Sequence, residues 1–223
     1  MLRWLLLPLA MLCVGCAASD PALNQAPATH AFDLDGTSPL DGETIRYVVP
    51  NGYCLLDSNR APEAAIYGNV GEELEDEFRA FALYADCDQL ETFRTTDEGL
   101  MALHDVGGYA YLLEDDGKPT KGGMARARFA REVTALQATE DDEELVSTGY
   151  TEDAAYFSFS PIDPDTGAAY PMLGALGVTL VYDNVIALIM FQRTDDPAAL
   201  PALGEEVRAL VAAFLDANPD TEI

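Results

Sequence analysis

The sequence predicts an α+β fold in which a mainly antiparallel sheet is flanked by helices, as an α/β/α sandwich. Three observations predict it: short segments of alternating apolar residues, an apolar run at 185–191, and a long amphipathic segment near the C-terminus. The chain has 223 residues, of which 49% are hydrophobic, and this suits one core of ordinary size. We find no internal repeat, so we expect a single domain over 43–217 and a short tail over 218–223.

The first half of the domain alternates predicted strands and helices. Alternating apolar residues over 45–49 predict a strand, which a turn at Pro50-Asn51-Gly52 ends. Residues 61–67 predict a helix, and Gly68 and Gly71 are expected to end it.

Residues 78–87 fit both helical and strand spacing. We favour a strand over their second half, because Phe81, Leu83 and Cys87 would then all face inward. Residues 88–93 predict a short helix whose first residue, an aspartate, is its N-cap.

The middle of the domain contains a predicted strand and a predicted helix. Residues 106–113 form the strand, in which Gly107-Gly108 indicate a bulge or a close approach of another group. Residues 124–138 predict a helix with one apolar stripe. The stripe consists of Ala125, Phe129, Val133 and Leu136.

The last third predicts three strands and a helix. Residues 155–160 alternate, and residues 178–182 and 185–191 predict a hairpin joined by Asp183-Asn184. The second hairpin strand is apolar on both faces, so we expect it to be central and covered on both sides. The final helix is predicted over 198–217. Its buried face contains Leu203, Val207, Leu210, Val211 and Phe214.

In element order, the domain resembles the Mog1/PsbP-like α/β/α sandwiches. The shared features are a first strand that ends at Pro50-Asn51-Gly52-Tyr53 and a late hairpin followed by an amphipathic helix. The resemblance covers roughly residues 43–217. It implies an accessory, assembly or partner-binding protein, and it assigns no functional residue.

The N-terminus has the pattern of a secretion signal. Arg3 precedes the apolar stretch 4–12, which is too short to span a bilayer, since a spanning helix needs about 20 residues. Gly15-Cys16 then resembles the cleavage site of bacterial lipoproteins. The resemblance implies a signal peptide over 1–15 and a lipid on Cys16, and Ala17 favours the outer membrane, with the domain on the periplasmic side.

A proline-containing segment follows the predicted lipid site. We expect residues 16–42 to comprise the lipidated cysteine and a flexible tether. The alternative is a secreted protein cut after Ala17 or Ala18. In an oxidising compartment Cys54 and Cys87 are an even pair, and we predict a structural disulfide between them, with two buried free thiols as the alternative.

Charge and residue types exclude several functions. The formal net charge is −27, from 12 basic and 39 acidic residues, so we expect no nucleic-acid partner. The domain contains one histidine, His104, and lacks a nucleophile motif or clustered metal ligands. We therefore predict no catalytic residue, cofactor or metal. Segments 163–167 and 33–36 imitate the start of a calcium loop, but both fail the full pattern, which leaves weak calcium binding open.

Five of the 12 basic residues lie within one short segment. They are Lys118, Lys121, Arg126, Arg128 and Arg131. One interpretation is a docking patch for an anionic ligand or partner. The other, which we favour, is internal pairing with the acidic segments 72–77 or 140–144, because the domain's own acids are the nearest counter-charges.

These patterns together predict a non-enzymatic envelope lipoprotein that binds a partner or assists assembly. The alternative is a carrier of a small apolar ligand, or a small hydrolase, in a cleft of the sandwich. A pocket lined by tyrosines would favour the carrier. The candidate tyrosines are Tyr53, Tyr84, Tyr109, Tyr111 and Tyr156.

Overall fold

A computed structural model of the protein describes residues 32–40, 42–73, 78–114, 118–137, 145–159, 172–194 and 196–219. These ranges contain nine strands and four α-helices. The strands are β1 (Phe32–Leu40), β2 (Glu43–Pro50), β3 (Tyr53–Leu55), β4 (Phe78–Asp86), β5 (Asp105–Leu112), β6 (Leu145–Tyr150), β7 (Ala154–Phe159), β8 (Met172–Val181) and β9 (Asn184–Arg193). The helices are α1 (Ala61–Glu73), α2 (Cys87–Thr95), α3 (Arg126–Gln137) and α4 (Leu200–Ala217).

Seven of these strands form one antiparallel sheet in the order β3-β4-β5-β9-β8-β7-β6. The hairpin β1–β2 is a separate two-stranded sheet. Strand β9 lies in the middle, between β5 and β8, and the run Val185–Phe191 is buried throughout. The predicted central, doubly covered strand is therefore confirmed, because seven apolar residues in succession need cover on both faces.

The two faces of the sheet carry separate apolar cores. Helices α1, α2 and α3 cover one face through residues such as Ile66, Leu90 and Phe129. Helix α4 and the β1–β2 hairpin cover the other face. All five residues predicted for the buried side of the C-terminal helix are buried there. The protein is thus an α+β sandwich, as the sequence predicts.

No helix among the described residues combines the length and apolar character that crossing a membrane requires.

The ordered domain is larger than the sequence predicts. Residues 32–40 were expected in the tether, but they form β1 and pair with β2 from Phe32↔Pro50 to Leu40↔Glu43. The tether prediction is wrong for this segment. The segment lacks apolar periodicity, so its sequence does not indicate a strand, and it forms one by pairing with the backbone of β2. Beyond the predicted end of the domain, the buried Asn218 side chain accepts from the N–H of Arg46 at 2.8 Å and ties the end of α4 to β2.

Two predictions around the first helices are wrong. Helix α1 continues to Glu73 through Gly68 and Gly71, since each glycine costs only about 1 kcal/mol in a helix and packing can offset it. Helix α2 begins at Cys87, and its N-cap is Asp86. The Asp86 carboxylate accepts from the backbone N–H groups of Asp88 and Gln89. Asp88 is therefore not the cap.

A bulge in β4 changes which side chains share a face. The β4–β5 register passes from Ala80↔Ala110 to Ala82↔Tyr109, which leaves Phe81 as an extra residue. Phe81 consequently packs on the α4 side while Leu83 packs on the opposite side, so the prediction that they share a face is wrong.

The remaining differences are local. The β8–β9 turn occupies Tyr182 and Asp183, with φ angles of 48° and 64°, one position earlier than predicted. In α3, Leu136 is 67% exposed and does not join a buried stripe, because the helix turns Phe129 and Ala130 toward the sheet instead. Strand β6 has no counterpart in the sequence prediction.

Candidate functional site

An apolar cavity lies between α3 and the sheet. Its volume is about 230 Å³. Side chains from four strands and from α3 line it, and most of them are apolar. The lining includes Phe78, Leu112, Phe129, Val133, Val178, Val185 and Ala187. A space of this size and character accommodates a small apolar molecule.

Arg126 holds the start of helix α3 to the sheet. The Nε atom of Arg126 donates to the carbonyl oxygen of Leu180 at 2.9 Å, and its Nη1 lies 3.6 Å from Asp153. The buried Ala130 lies one turn further along the helix. These contacts hold α3 against the sheet, and Phe129 and Val133 of the same helix line the cavity.

The segment before α3 forms one wall of the cavity and is fastened to the β8–β9 hairpin. Val185 donates its N–H to the carbonyl oxygen of Thr120 at 3.0 Å, and Gly122 donates to that of Asp183 at 2.8 Å. A side chain at Gly122 would meet Leu180, with a Cβ atom only 2.5 Å from Cδ1. Glycine at this position therefore lets the wall approach the sheet closely.

Two charged residues line the cavity beside its apolar walls, Lys121 and Glu132. The Nζ atom of Lys121 donates to Oδ1 of Asn184 at 2.9 Å. The carboxylate of Glu132 accepts from Nε of Arg128 at 2.7 Å, one helical turn away. Polar groups that accompany an apolar pocket commonly orient a ligand.

No family model, curated protein or solved structure matches this chain. The resemblances to bacterial lipoproteins and to Mog1/PsbP-like sandwiches stay predictions.

The five clustered basic residues do not form one uniform patch. Arg126 contacts Leu180 and Asp153, Arg128 pairs with Glu132, and Lys121 contacts Asn184. Lys118 and Arg131 are exposed. Contacts within the chain therefore engage at least three of the five. The acids in these contacts, Asp153 and Glu132, are not the predicted ones. The predicted segments were 72–77 and 140–144, of which residues 74–77 and 140–144 lie outside the described residues.

Four of the candidate tyrosines lie in a packed aromatic cluster. Its rings pack with centroids 5.1–6.3 Å apart, on the α4 side of the sheet. It contains Tyr47, Tyr53, Phe81, Tyr84, Tyr109, Tyr111 and Phe214. The hydroxyl of Tyr109 donates to the carbonyl oxygen of Val48 at 2.6 Å, and burial raises the pKa of this phenol. Tyr156 lies apart from the cluster, with the guanidinium of Arg208 4.2 Å from its ring centre.

A second, smaller cavity lies on the same side of the sheet as α1. It measures about 50 Å³ and is lined by apolar side chains and Tyr84. On the α4 side of the sheet, the ring of Tyr84 lies close to Gly107, where a Cβ atom would lie 2.4 Å from the ring. The predicted close approach at Gly107-Gly108 is thus confirmed, without a bulge at these positions. The volume suits one or two water-sized groups at most.

The other candidate residues have structural contacts. His104 places Nε2 3.0 Å from the carbonyl oxygen of Met101. Segment 33–36 lies within β1, and segment 163–167 lies outside the described residues. Across the described ranges, no three His, Cys, Asp or Glu side chains are grouped so that they could hold a metal ion.

The cysteines of the domain form the predicted disulfide. Cys54 on β3 is bonded to Cys87 at the start of α2, with their Cα atoms 4.9 Å apart. Cys87 also donates its N–H to the carbonyl oxygen of Gly52 at 2.8 Å. Cys16, the predicted lipid site, lies outside the described residues.

Proposed function

We propose that the protein is a non-enzymatic, lipid-anchored envelope protein whose domain binds a small apolar molecule in the cavity beside α3. The observation that carries this proposal is the apolar lining of a cavity of about 230 Å³. An engineered apolar cavity of about 150 Å³ is already large enough to bind benzene. Water gains little in a space with so few polar partners, so an apolar ligand competes well for it.

The chemistry around the cavity supports binding over catalysis. Among the described lining residues the ionisable groups are Lys121 and Glu132. The carboxylate of Glu132 is engaged by Arg128 at 2.7 Å. Nucleophilic catalysis needs a nucleophile beside an oriented base, and these two residues do not provide that pair.

The ligand-binding proposal is tested by titrating the full chain carrying Cys16→Ser with the uncharged fluorescent probe aminoanthracene. Saturable binding is expected. Ala187→Leu should abolish it by filling the cavity, and Val133→Phe should do the same from the helix side. Ala135→Leu is the matched control, because it adds the same side chain to the exposed face of α3.

The cavity variants need a check of their fold. Thermal unfolding followed by circular dichroism shows whether each variant remains folded at the titration temperature. Binding that survives in both folded cavity variants, or that is absent in the parent chain, would contradict the proposed site.

The envelope location is supported by the N-terminal sequence. Arg3, the apolar stretch 4–12 and Gly15-Cys16 fit an exported lipoprotein. Intact-mass measurement of membrane-extracted protein should find a chain that begins at Cys16 and carries acyl groups. Cys16→Ser should remove the acyl mass. A chain that begins at Ala18 or Ser19 without acyl groups would exclude the anchor.

A second candidate function is partner binding at the β6 edge. Among the described strands, β6 is the last in the sheet, and its Val146 and Tyr150 side chains are 54% and 51% exposed. A sheet edge with apolar side chains can pair with an extended segment of another protein. Affinity capture from solubilised membranes should recover a reproducible partner, and Val146→Ser with Tyr150→Ser should lose it. Equal recovery with the double variant would exclude this edge.

A further inference from the structure

We propose that the two cavities are the ends of one apolar trough along β5, and that its ligand is one long, unbranched alkyl chain. The trough is the space above Val106, Gly108, Ala110 and Leu112, alternate residues of β5 that face the α3 side of the sheet. The proposal rests on the proposed function, because it assigns the ligand class of the cavity beside α3.

The helices on this face leave the middle of the sheet between them. Helix α3 packs over β6, β7 and β8, whereas α1 and α2 pack over β4. Strands β5 and β9 lie between β4 and β8. Although β5 is an interior strand, its Val106, Ala110 and Leu112 side chains are only half-buried. Because protein interiors are close-packed, this incomplete burial indicates space above β5 for an apolar ligand.

The two cavities lie at opposite ends of this row of residues. Leu112 lines the larger cavity, of about 230 Å³, and Val106 lines the smaller one, of about 50 Å³. At about 3.3 Å per residue, the two positions are about 20 Å apart along the strand. One acyl chain fills half of a bilayer core, or about 15 Å. The trough is therefore long enough for the acyl chain of a lipid.

The middle of the trough is built from small residues. Ala80, Ala110 and Ala187 pair directly across β4, β5 and β9, and Gly108 is the next residue on this face of β5. The side chain of Leu83 lies over Gly108, since a Cβ atom there would be 2.6 Å from Cδ2 of Leu83. Leu83 also lines the smaller cavity. It therefore separates the two cavities, and a change of its rotamer joins them.

The open end of the trough lies at the larger cavity. Leu136, which lines that cavity, is 67% exposed, whereas the smaller cavity is lined by buried residues such as Leu56, Leu83 and Leu103. An alkyl chain therefore enters beside Leu136 and runs toward Val106, with its polar end left in solvent. Each CH₂ group that enters the trough leaves water, which strengthens binding about fourfold.

The dependence of affinity on chain length tests the trough. Octanol, decanol and dodecanol are titrated as competitors of aminoanthracene on the full chain carrying Cys16→Ser. Dodecanol should bind about 200-fold more tightly than octanol, because four more CH₂ groups enter the trough. Cyclododecanol holds as many carbon atoms in a compact ring and should bind more weakly than dodecanol. An affinity that stops rising after octanol, or equal binding of the ring and the chain, overturns the proposal.

Substitutions at the smaller cavity test whether the chain reaches it. Val106→Phe should lower dodecanol affinity at least tenfold and leave octanol affinity unchanged, because it fills only the far end of the trough. Leu103→Phe is a second variant at the same cavity, and circular dichroism checks the fold of both. Val146→Phe is the matched control, since it makes the same change at an exposed position of β6. It should leave both affinities unchanged.

The two proposals fail in different ways. Unchanged dodecanol affinity in the folded cavity variants, or an equal loss for octanol and dodecanol, overturns the alkyl-chain proposal and leaves the ligand site beside α3 in place. Binding of aminoanthracene that no alcohol displaces has the same consequence. If aminoanthracene does not bind, the proposed function itself fails, and the alkyl-chain proposal fails with it.

Discussion

The buried carboxylate of Glu63 receives two parallel hydrogen bonds from the guanidinium of Arg94, 31 residues later in the chain. Nε donates to Oε1 at 2.8 Å and Nη2 donates to Oε2 at 2.9 Å. The N–H of Asp57 adds a third bond at 2.6 Å. This pair joins the start of α1 to the end of α2 on one face of the sheet.

Loss of Arg94 should destabilise the protein strongly. Arg94→Ala leaves the Glu63 carboxylate buried without its main partner, and we expect a loss of about 3 kcal/mol in the free energy of unfolding. Arg60→Ala is the control, because Arg60 is largely exposed and lies 3.5 Å from the same carboxylate, and it should cost less than about 1 kcal/mol. Urea denaturation measures both. Equal losses would contradict the assigned role of Arg94.

The same pair predicts an acid-sensitive contribution to stability. Burial alone would raise the pKa of Glu63, but the bonds from Arg94 and Asp57 outweigh it and lower the pKa. A carboxyl group with a lowered folded-state pKa contributes stability above its unfolded pKa and loses it as pH falls through the folded pKa. Below about pH 4.5, the stability of Glu63→Gln should therefore fall less steeply with decreasing pH than that of the parent protein.

The disulfide should contribute several kcal/mol. Cys54 lies on the three-residue edge strand β3, and the bond to Cys87 closes a loop of 33 residues. The chain-entropy relation gives about 4 kcal/mol for such a loop. Replacing both cysteines by serine should lower the free energy of unfolding by that order, and reduction of the parent protein should approach the same value. An unchanged stability would contradict this contribution.

Glu206 on α4 should make the protein less stable as pH rises through the neutral range. Burial, and to a lesser degree the charge of Asp105, raises the pKa of Glu206 to about 7 from the usual 4.5. Between these values the folded state holds more protons than the unfolded state, so stability falls as pH increases from about 4.5 to about 7. Glu206→Gln should raise stability by about 1 kcal/mol at pH 8, after allowance for solvent screening, and change little at pH 4.

A neighbouring carboxylate provides the control for that measurement. Glu205 is 80% exposed and lies 3.7 Å from Arg208. Glu205→Gln should change stability by less than about 0.5 kcal/mol at either pH. If the stability of Glu205→Gln and that of Glu206→Gln depend on pH in the same way, the effect of Glu206→Gln comes from the lower net charge and not from the burial of Glu206.

Gln137 at the end of α3 carries a buried amide that has no hydrogen-bond partner in the part of the chain that the structure describes. The residue is 4% exposed, and neither Nε2 nor Oε1 is bonded within the described residues. Because an unsatisfied buried polar group costs about 1–3 kcal/mol, Gln137→Met should stabilise the protein by about 1 kcal/mol. Gln89→Met should destabilise the protein, since Oε1 of Gln89 accepts hydrogen bonds from the N–H groups of His104 and Asp105. Thermal unfolding distinguishes them, and destabilisation by Gln137→Met would contradict the prediction.

Elements with strong periodicity were the ones that the sequence predicted well. Strand β9 is apolar without interruption, and α4 repeats its buried residues at helical spacing, so local pattern and tertiary burial agree. The disulfide partners followed from counting cysteines, because the two others lie in the predicted signal.

Features that depend on contacts between distant segments were not predicted. The bulge at Phe81 reverses the face of one β4 side chain, and only pairing with β5 reveals it. Strand β1 forms by pairing with β2. The turn at Tyr182 and Asp183 lies one position earlier than predicted, because Asn184 belongs to strand β9. Sequence patterns alone do not contain these pairings.

The cavity escaped prediction for the same reason. Its walls come from separate parts of the chain, with Phe78, Phe129 and Ala187 drawn from β4, α3 and β9. In the sequence, Phe129 and Val133 form a helical stripe that is typical of ordinary core packing. Leu136, which the sequence pattern placed in the same stripe, is exposed in the structure and lines the cavity.

A ligand site beside α3 can be located by a methyl NMR experiment with octanol bound to the full chain carrying Cys16→Ser. Intermolecular nuclear Overhauser effects are expected between the ligand chain and the methyl groups of Val133, Val178 and Val185, which line the cavity. Methyl groups on the α4 side, such as those of Val207, should show none. Contacts restricted to Val207 and its neighbours, or no contacts at saturating octanol, would contradict a ligand site beside α3.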